Sequence, residues 1–213
     1  MEPAVSVPTP TLFAELATAP ALLEAGLPDL ELACTTDAVP RIRQDDRFAY
    51  SSNPPYDTLY TLATDGSGGG YHLWAGAGGS CVVHIGSEGE RAKVGRTASQ
   101  FLQLSLSLQP HWPDCVHRLP GINTLPGNGD IVGATAADFD ADALLALIAV
   151  WTSHDPEEVA EARAKADTVL AAVGLERLSG AAALAQLCDA HLAAPRFAVR
   201  SEDDEDDDAD GDE

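Results

Sequence analysis

The chain has 213 residues, enough for one domain with a full hydrophobic core and a small extension, and too few for two large domains. Its formal net charge is −22, and residues 202 to 213 hold ten of the 34 acids and no base, leaving 24 acids against 12 bases elsewhere. That surplus repels phosphates and disfavours direct binding of DNA or RNA; it favours a basic protein partner, with plain solubility as the simpler reading of the same charge.

Residues 1 to 10, with Pro at 3, 8 and 10, read as a flexible lead. From Thr11 to Gly26 the residues Leu12, Phe13, Leu16, Leu22 and Leu23 approximate helical spacing, interrupted by Pro20. Short strands are expected around Leu30 to Cys34 and Phe48 to Ser51. Asp57 to Thr64 alternates Leu59, Thr61 and Ala63 against Thr58, Tyr60 and Leu62, and it runs into the glycine-rich Gly66 to Gly70, which suits a reversal. Tyr71 to Ala75, Cys81 to Ile85 and Arg91 to Gly95 read as further strands separated by turns at Gly76 to Ser80 and Gly86 to Glu90, so an antiparallel meander is the simplest topology. Thr97 followed by Gln100 is a capping box opening a helix over Ala98 to about Leu108. The alternating Leu102, Leu104, Leu106 and Leu108 would also allow a strand, and the cap decides for helix. Leu73, Trp74, Val83, Ile85, Phe101, Leu104 and Leu108 are expected to form one cluster between sheet and helix.

His111 to Thr135 is rich in Pro and Gly and reads as an ordered loop packed by Trp112 and Leu119. Asp155-Pro156-Glu157-Glu158 is a strong helix start, and that helix is expected to run to Val173 with Gly174 as its stop. A shorter helix follows Ser179 and ends near Leu192. Residues 201 to 213 cannot bury anything and are expected to be a disordered acidic tail. The predicted division is a lead at 1 to 10, an α+β domain at 11 to 136 with a twisted antiparallel sheet flanked by helices, a helical extension at 137 to 200 packed on it, and the tail at 201 to 213.

The longest apolar run, Ala143 to Trp151, falls short of the roughly 20 residues of a membrane span. No basic start and apolar stretch opens the chain, so a cytoplasmic protein is expected. Cys34, Cys81, Cys115 and Cys188 form no CxxC pair and read as buried free thiols. Gly66 to Gly70 lacks the Lys-Ser/Thr of a phosphate-binding loop and sits between strands, so it reads as a hairpin turn. His72 and His84 lie on neighbouring strands and could face each other, although no third metal ligand accompanies them. His111, Cys115 and His117 make the densest ligand cluster, and Cys115 with a histidine could mimic a thiol nucleophile and its base; without local positive charge, packing is the favoured role. Glu88 and Glu90 resemble a carboxylate pair, but nothing nearby splits their pKa values. No catalytic, cofactor or metal residue is expected.

Asp65-Gly66-Ser67-Gly68-Gly69, Tyr71-His72-Leu73-Trp74, Val82 to Glu90 and Ala98-Ser99-Gln100-Phe101-Leu102 follow one another in an order that resembles the SUKH superfamily. The resemblance covers residues 57 to 108; upstream only Leu27-Pro28 matches the family's pattern. It implies an α+β fold and, for bacterial members, an immunity protein that neutralises a polymorphic toxin, often a nuclease, by binding it. The acid surplus fits a basic toxin, with Asp65, Glu88 and Glu90 as the partner-binding acids. The alternatives are an intracellular scaffold or regulatory hub and a hydrolase built on Cys115.

Overall fold

The computed structural model describes residues 27, 30–32, 58–76, 79–87, 91–119, 141–152 and 154–193. The one kinked or two short helices expected over Thr11 to Gly26, the strand at Phe48 to Ser51, Glu88 and Glu90, and the acidic tail lie outside them. Strands β1 (Glu31–Leu32), β2 (Thr58–Thr64), β3 (Gly70–Gly76), β4 (Gly79–Ile85) and β5 (Arg91–Gly95) are followed by helices α1 (Ala98–Ser107), α2 (Trp112–His117), α3 (Ala141–Thr152), α4 (Pro156–Ala172) and α5 (Gly180–Leu192). The sheet is an antiparallel meander in the order β1-β2-β3-β4-β5, and the class is α+β.

Register decides which side chains reach the core. Tyr71 pairs with His84 and Leu73 with Val82, so these four share the face toward α1, while His72 pairs with Val83 on the opposite face. Adjacent residues of a strand cannot point the same way, which corrects the expected cluster: Leu73 joins Phe101, Leu104 and Leu108, but Val82 and Tyr71 take the places assigned to Val83 and Ile85. The side chain of Trp74 lies outside the described residues. Two bulges break the alternation. Between Thr61 and Ala63 the register shifts, so Leu62 and Ala63 are both buried, and a second shift between Val82 and Val83 leaves Val94 as an extra residue opposite β4. The second expected turn, at Gly76 to Ser80, is tighter than its span in sequence, because Gly76 pairs with Gly79.

The threonine cap forms as expected: Thr97 Oγ1 accepts from Gln100 N–H at 3.1 Å, and Gln100 Oε1 reaches back to Arg96 N–H at 2.8 Å. α1 is buried nearly all round because the sheet covers one side and α4 and α5 cover the other. That explains why its leucines show no single helical stripe. Tyr71, Phe101 and Trp112 form an aromatic trio with ring centroids 5.1 to 5.9 Å apart, and Trp112 Nε1–H donates to Tyr71 Oη at 2.9 Å.

Trp112 and Leu119 are buried as expected, but Trp112–His117 is a short helix rather than loop. Pro113 and Asp114 in its first turn are the reason, since proline lacks an N–H that this turn would leave unbonded, and an acid suits the positive helix end. α4 begins at the Asp155 cap and ends in a Schellman motif, with Leu175 N–H on Leu170 O at 2.9 Å, Gly174 N–H on Ala171 O at 3.2 Å, and Gly174 at φ +68°. Ser179 caps α5. Arg177, between α4 and α5, donates to Leu106 O, Ser107 O and Arg163 O and pairs with Asp167 at 2.6 Å, so one guanidinium satisfies carbonyls at the end of α1 and holds α4 beside it. One hydrophobic cluster joins Tyr71, Leu73 and Val82 of the sheet to Phe101 and Leu104 of α1 and to Val169, Leu170, Leu184 and Leu187 of α4 and α5. Among the described residues no helix is long and apolar enough to cross a membrane.

Candidate functional site

The glycine-rich segment is a hairpin turn built around Asp65. Its Oδ1 accepts from Ser67 N–H at 3.0 Å, Ser67 Oγ–H at 2.8 Å and Gly69 N–H at 2.7 Å, and its Oδ2 lies 2.8 Å from His84 Nε2. Gly68 adopts φ +95°, and a Cβ at Gly69 would meet Ile85 O at 2.7 Å, so both positions demand glycine. Burial alone would raise the Asp65 carboxyl, but the bonds from His84, Ser67 and Gly69 outweigh it and hold the pKa below 3.8. Only 9% of the side chain is exposed. Asp65, expected to meet a partner, is therefore committed to the turn.

The two strand histidines do not face each other. His84 is buried on the core side, stacked 4.8 Å from Tyr71 and edge-on to His117 at 6.1 Å. His72 sits on the opposite face, where its Nδ1 lies 3.3 Å from Thr61 Oγ1, and burial, then the charge of His84, pushes its imidazole down to about 4. On that same face Lys93 is 4% exposed; its Nζ donates to Ala193 O, and its backbone N–H donates to His191 Nδ1 at 3.3 Å, which covers the free edge of β5 with the end of α5.

The expected His111-Cys115-His117 grouping is dispersed. Cys115 is fully buried in the core, and burial, reinforced by Asp114, pushes its thiol up to about 12, far from the thiolate that a nucleophile needs. Cys81 and Cys188 are likewise buried free thiols with raised pKa values, Cys81 to about 11. His117 turns toward His84. His111 instead meets residues that sequence spacing does not connect to it. One ligand atom each from His111, Asp114 and His154 lies within 4.8 Å of the others, beside a cavity of about 410 Å³ lined by His111, Ala149, His154, Val159 and Arg163. Burial and the charges of His154 and Arg163 lower the His111 pKa against the pull of Asp114. His154 was the missing member, placed 43 positions away in sequence by the packing of α2 on α3.

The described surface is unevenly charged. Glu157, Glu158, Glu161 and Asp167 are exposed along α4, with Asp142, Glu176 and Asp189 exposed on neighbouring elements. Most of the described cations are turned inward or matched: Lys93 is buried on Ala193, Arg177 is fixed on backbone carbonyls, Lys165 pairs with Glu161 at 2.9 Å, and Arg96 lies 3.7 Å from Asp189, while Arg163 is exposed on α4.

No family model matches the chain, and no match was found among curated proteins or solved structures. The SUKH resemblance thus rests on the order of its motifs in residues 57 to 108.

Proposed function

We propose that this chain is a non-catalytic binding protein of the immunity class, which neutralises a basic toxin domain, of the nuclease kind, by direct association. The observation that carries the reading is the partition of charge: Glu157, Glu158, Glu161 and Asp167 are exposed along α4, which also exposes Arg163 and pairs Lys165 with Glu161 at the surface, while Lys93 and Arg177 are turned into the fold. A surface built to hold phosphates is basic, so an acidic face steers to it and occupies it. The motif order over residues 57 to 108 supplies the class. Asp65 belongs to the scaffold in this reading, and the contact acids are those of α4 together with Glu88 and Glu90, which follow β4 in the sequence.

The test is co-expression with the toxin domain encoded beside this gene. Protection is expected with the parent chain and should weaken when Glu157, Glu158 and Glu161 are changed together to Gln, a set of exposed side chains whose loss leaves the core intact. Full killing in the presence of well-expressed parent chain would sink the proposal, as would a gene neighbourhood that encodes no toxin.

A further inference from the structure

We infer that His111, Asp114 and His154 form a binding site for a divalent transition-metal ion of the zinc class, with its fourth coordination position open to the cavity where α3 meets α4. The site is independent of the partner-binding role proposed above. His111 immediately precedes α2 and Asp114 lies in its first turn, three residues on, so the two share a face; His154 comes from the link between α3 and α4. Their ligand atoms lie within 4.8 Å of one another. Around four-coordinate zinc, with bonds near 2.0–2.1 Å, such atoms sit about 3.3 Å apart. Closing the difference requires a side-chain rotation, and His154 is exposed and able to make it.

The surroundings of His111 fit a ligand. Thr152 Oγ1 donates its single hydrogen to Ile148 O at 2.9 Å and lies 3.2 Å from His111 Nδ1, so Nδ1–H is the donor of that bond. The lone pair is then on Nε2, and the hydroxyl fixes the ring in the way that outer partners orient metal-bound histidines. Two imidazole nitrogens with one carboxylate, and no thiolate, suit zinc, cobalt or nickel; magnesium and calcium take oxygen donors. Three protein ligands from two segments leave a coordination position for water or an anion, and the cavity gives it about 410 Å³, with Arg163 in the wall to favour an anion. An ion here would join residues 111 to 114 to residue 154, tying α2 to the start of α4.

The full-length chain, stripped of metal by a chelator, is titrated with Zn²⁺ by calorimetry in excess Mg²⁺, which competes for the acidic tail. One Zn²⁺ per chain is expected, and Co²⁺ in its place should give the visible absorption of a four-coordinate site. His154→Gln should weaken Zn²⁺ binding about tenfold or more while leaving the thermal midpoint of the metal-free chain unchanged. Asp114→Asn should produce a loss of the same order. A parent chain that binds no Zn²⁺ under Mg²⁺ competition overturns the inference, and so do variants that bind it as tightly as the parent.

Discussion

Replacing Asp65 with Ala removes the acceptor of four hydrogen bonds at once, three of which hold the turn and one of which ends on a buried histidine. The loss should be about 2 to 4 kcal/mol of stability in urea unfolding, because a buried donor left without its acceptor costs more than the bond itself contributes. Gly69→Ala should also destabilise, since its Cβ would sit against the Ile85 carbonyl. The two titrating groups of this region act in separate pH windows. The folded pKa of His72 is depressed to about 4 while the unfolded chain takes up the proton near 6.5, so its contribution is complete above pH 6.5 and is lost as the pH falls toward 4. Asp65 is depressed below 3.8, so its contribution is kept above that value and lost at more acid pH. Urea midpoints taken at intervals from pH 7 to pH 4 should decline in the parent and decline less steeply in His72→Gln, where His111, also lowered by burial, still contributes; an identical decline in both would remove His72 from the account. The turn was legible in the sequence, but the role of Asp65 was not. Its partner His84 lies 19 positions away, and only the strand register, with Gly70 opposite Ile85, brings the two together.

At the scale of elements, stability is concentrated where helices begin and end. Thr97→Ala and Ser179→Ala should each cost about 1 kcal/mol, as lost N-caps do. Arg177→Met keeps the apolar stem but removes the guanidinium donor from the carbonyls of Leu106 and Ser107 at the end of α1, and it should cost about 2 kcal/mol, more than either cap. Thermal melts of the three variants check the order, and an Arg177→Met midpoint equal to the parent's would show that the guanidinium is dispensable. Caps and stops were the clearest signals in the sequence: Thr97, Asp155, Gly174 and Ser179 all bound helices as expected. Trp112-Pro113-Asp114 carries the same kind of start signal as Asp155-Pro156-Glu157, yet it was obscured by the Pro and Gly that follow it. The bulges at Leu62 and Val94 were illegible because an inserted residue shifts the pattern without changing residue type. α1 was ambiguous for a different reason, since a helix covered on all sides has no polar face to mark its period.

For the whole molecule, the common cluster linking the sheet to α4 and α5 means that the late helices cannot be removed without opening the core. Truncation after Leu119 should therefore abolish cooperative unfolding. Deleting residues 202 to 213, which hold ten acids and besides them only Ala209 and Gly211, should leave the thermal midpoint nearly unchanged. The charge that the tail and α4 present is the basis of the proposed function, and long-range charge acts mainly on the rate of encounter, within a screening length of about 10 Å at 0.1 M salt. The metal site was the least legible feature, because His154 joins His111 and Asp114 only through the packing of separate helices. The most direct measurement of the central claim is a titration of the purified chain into the activity assay of the basic toxin domain that the proposal requires to be encoded beside it, repeated at low and high salt. The account predicts that activity falls to zero at one equivalent of the chain and that association slows steeply as salt is raised; toxin activity unchanged by a several-fold excess of the folded chain would contradict it.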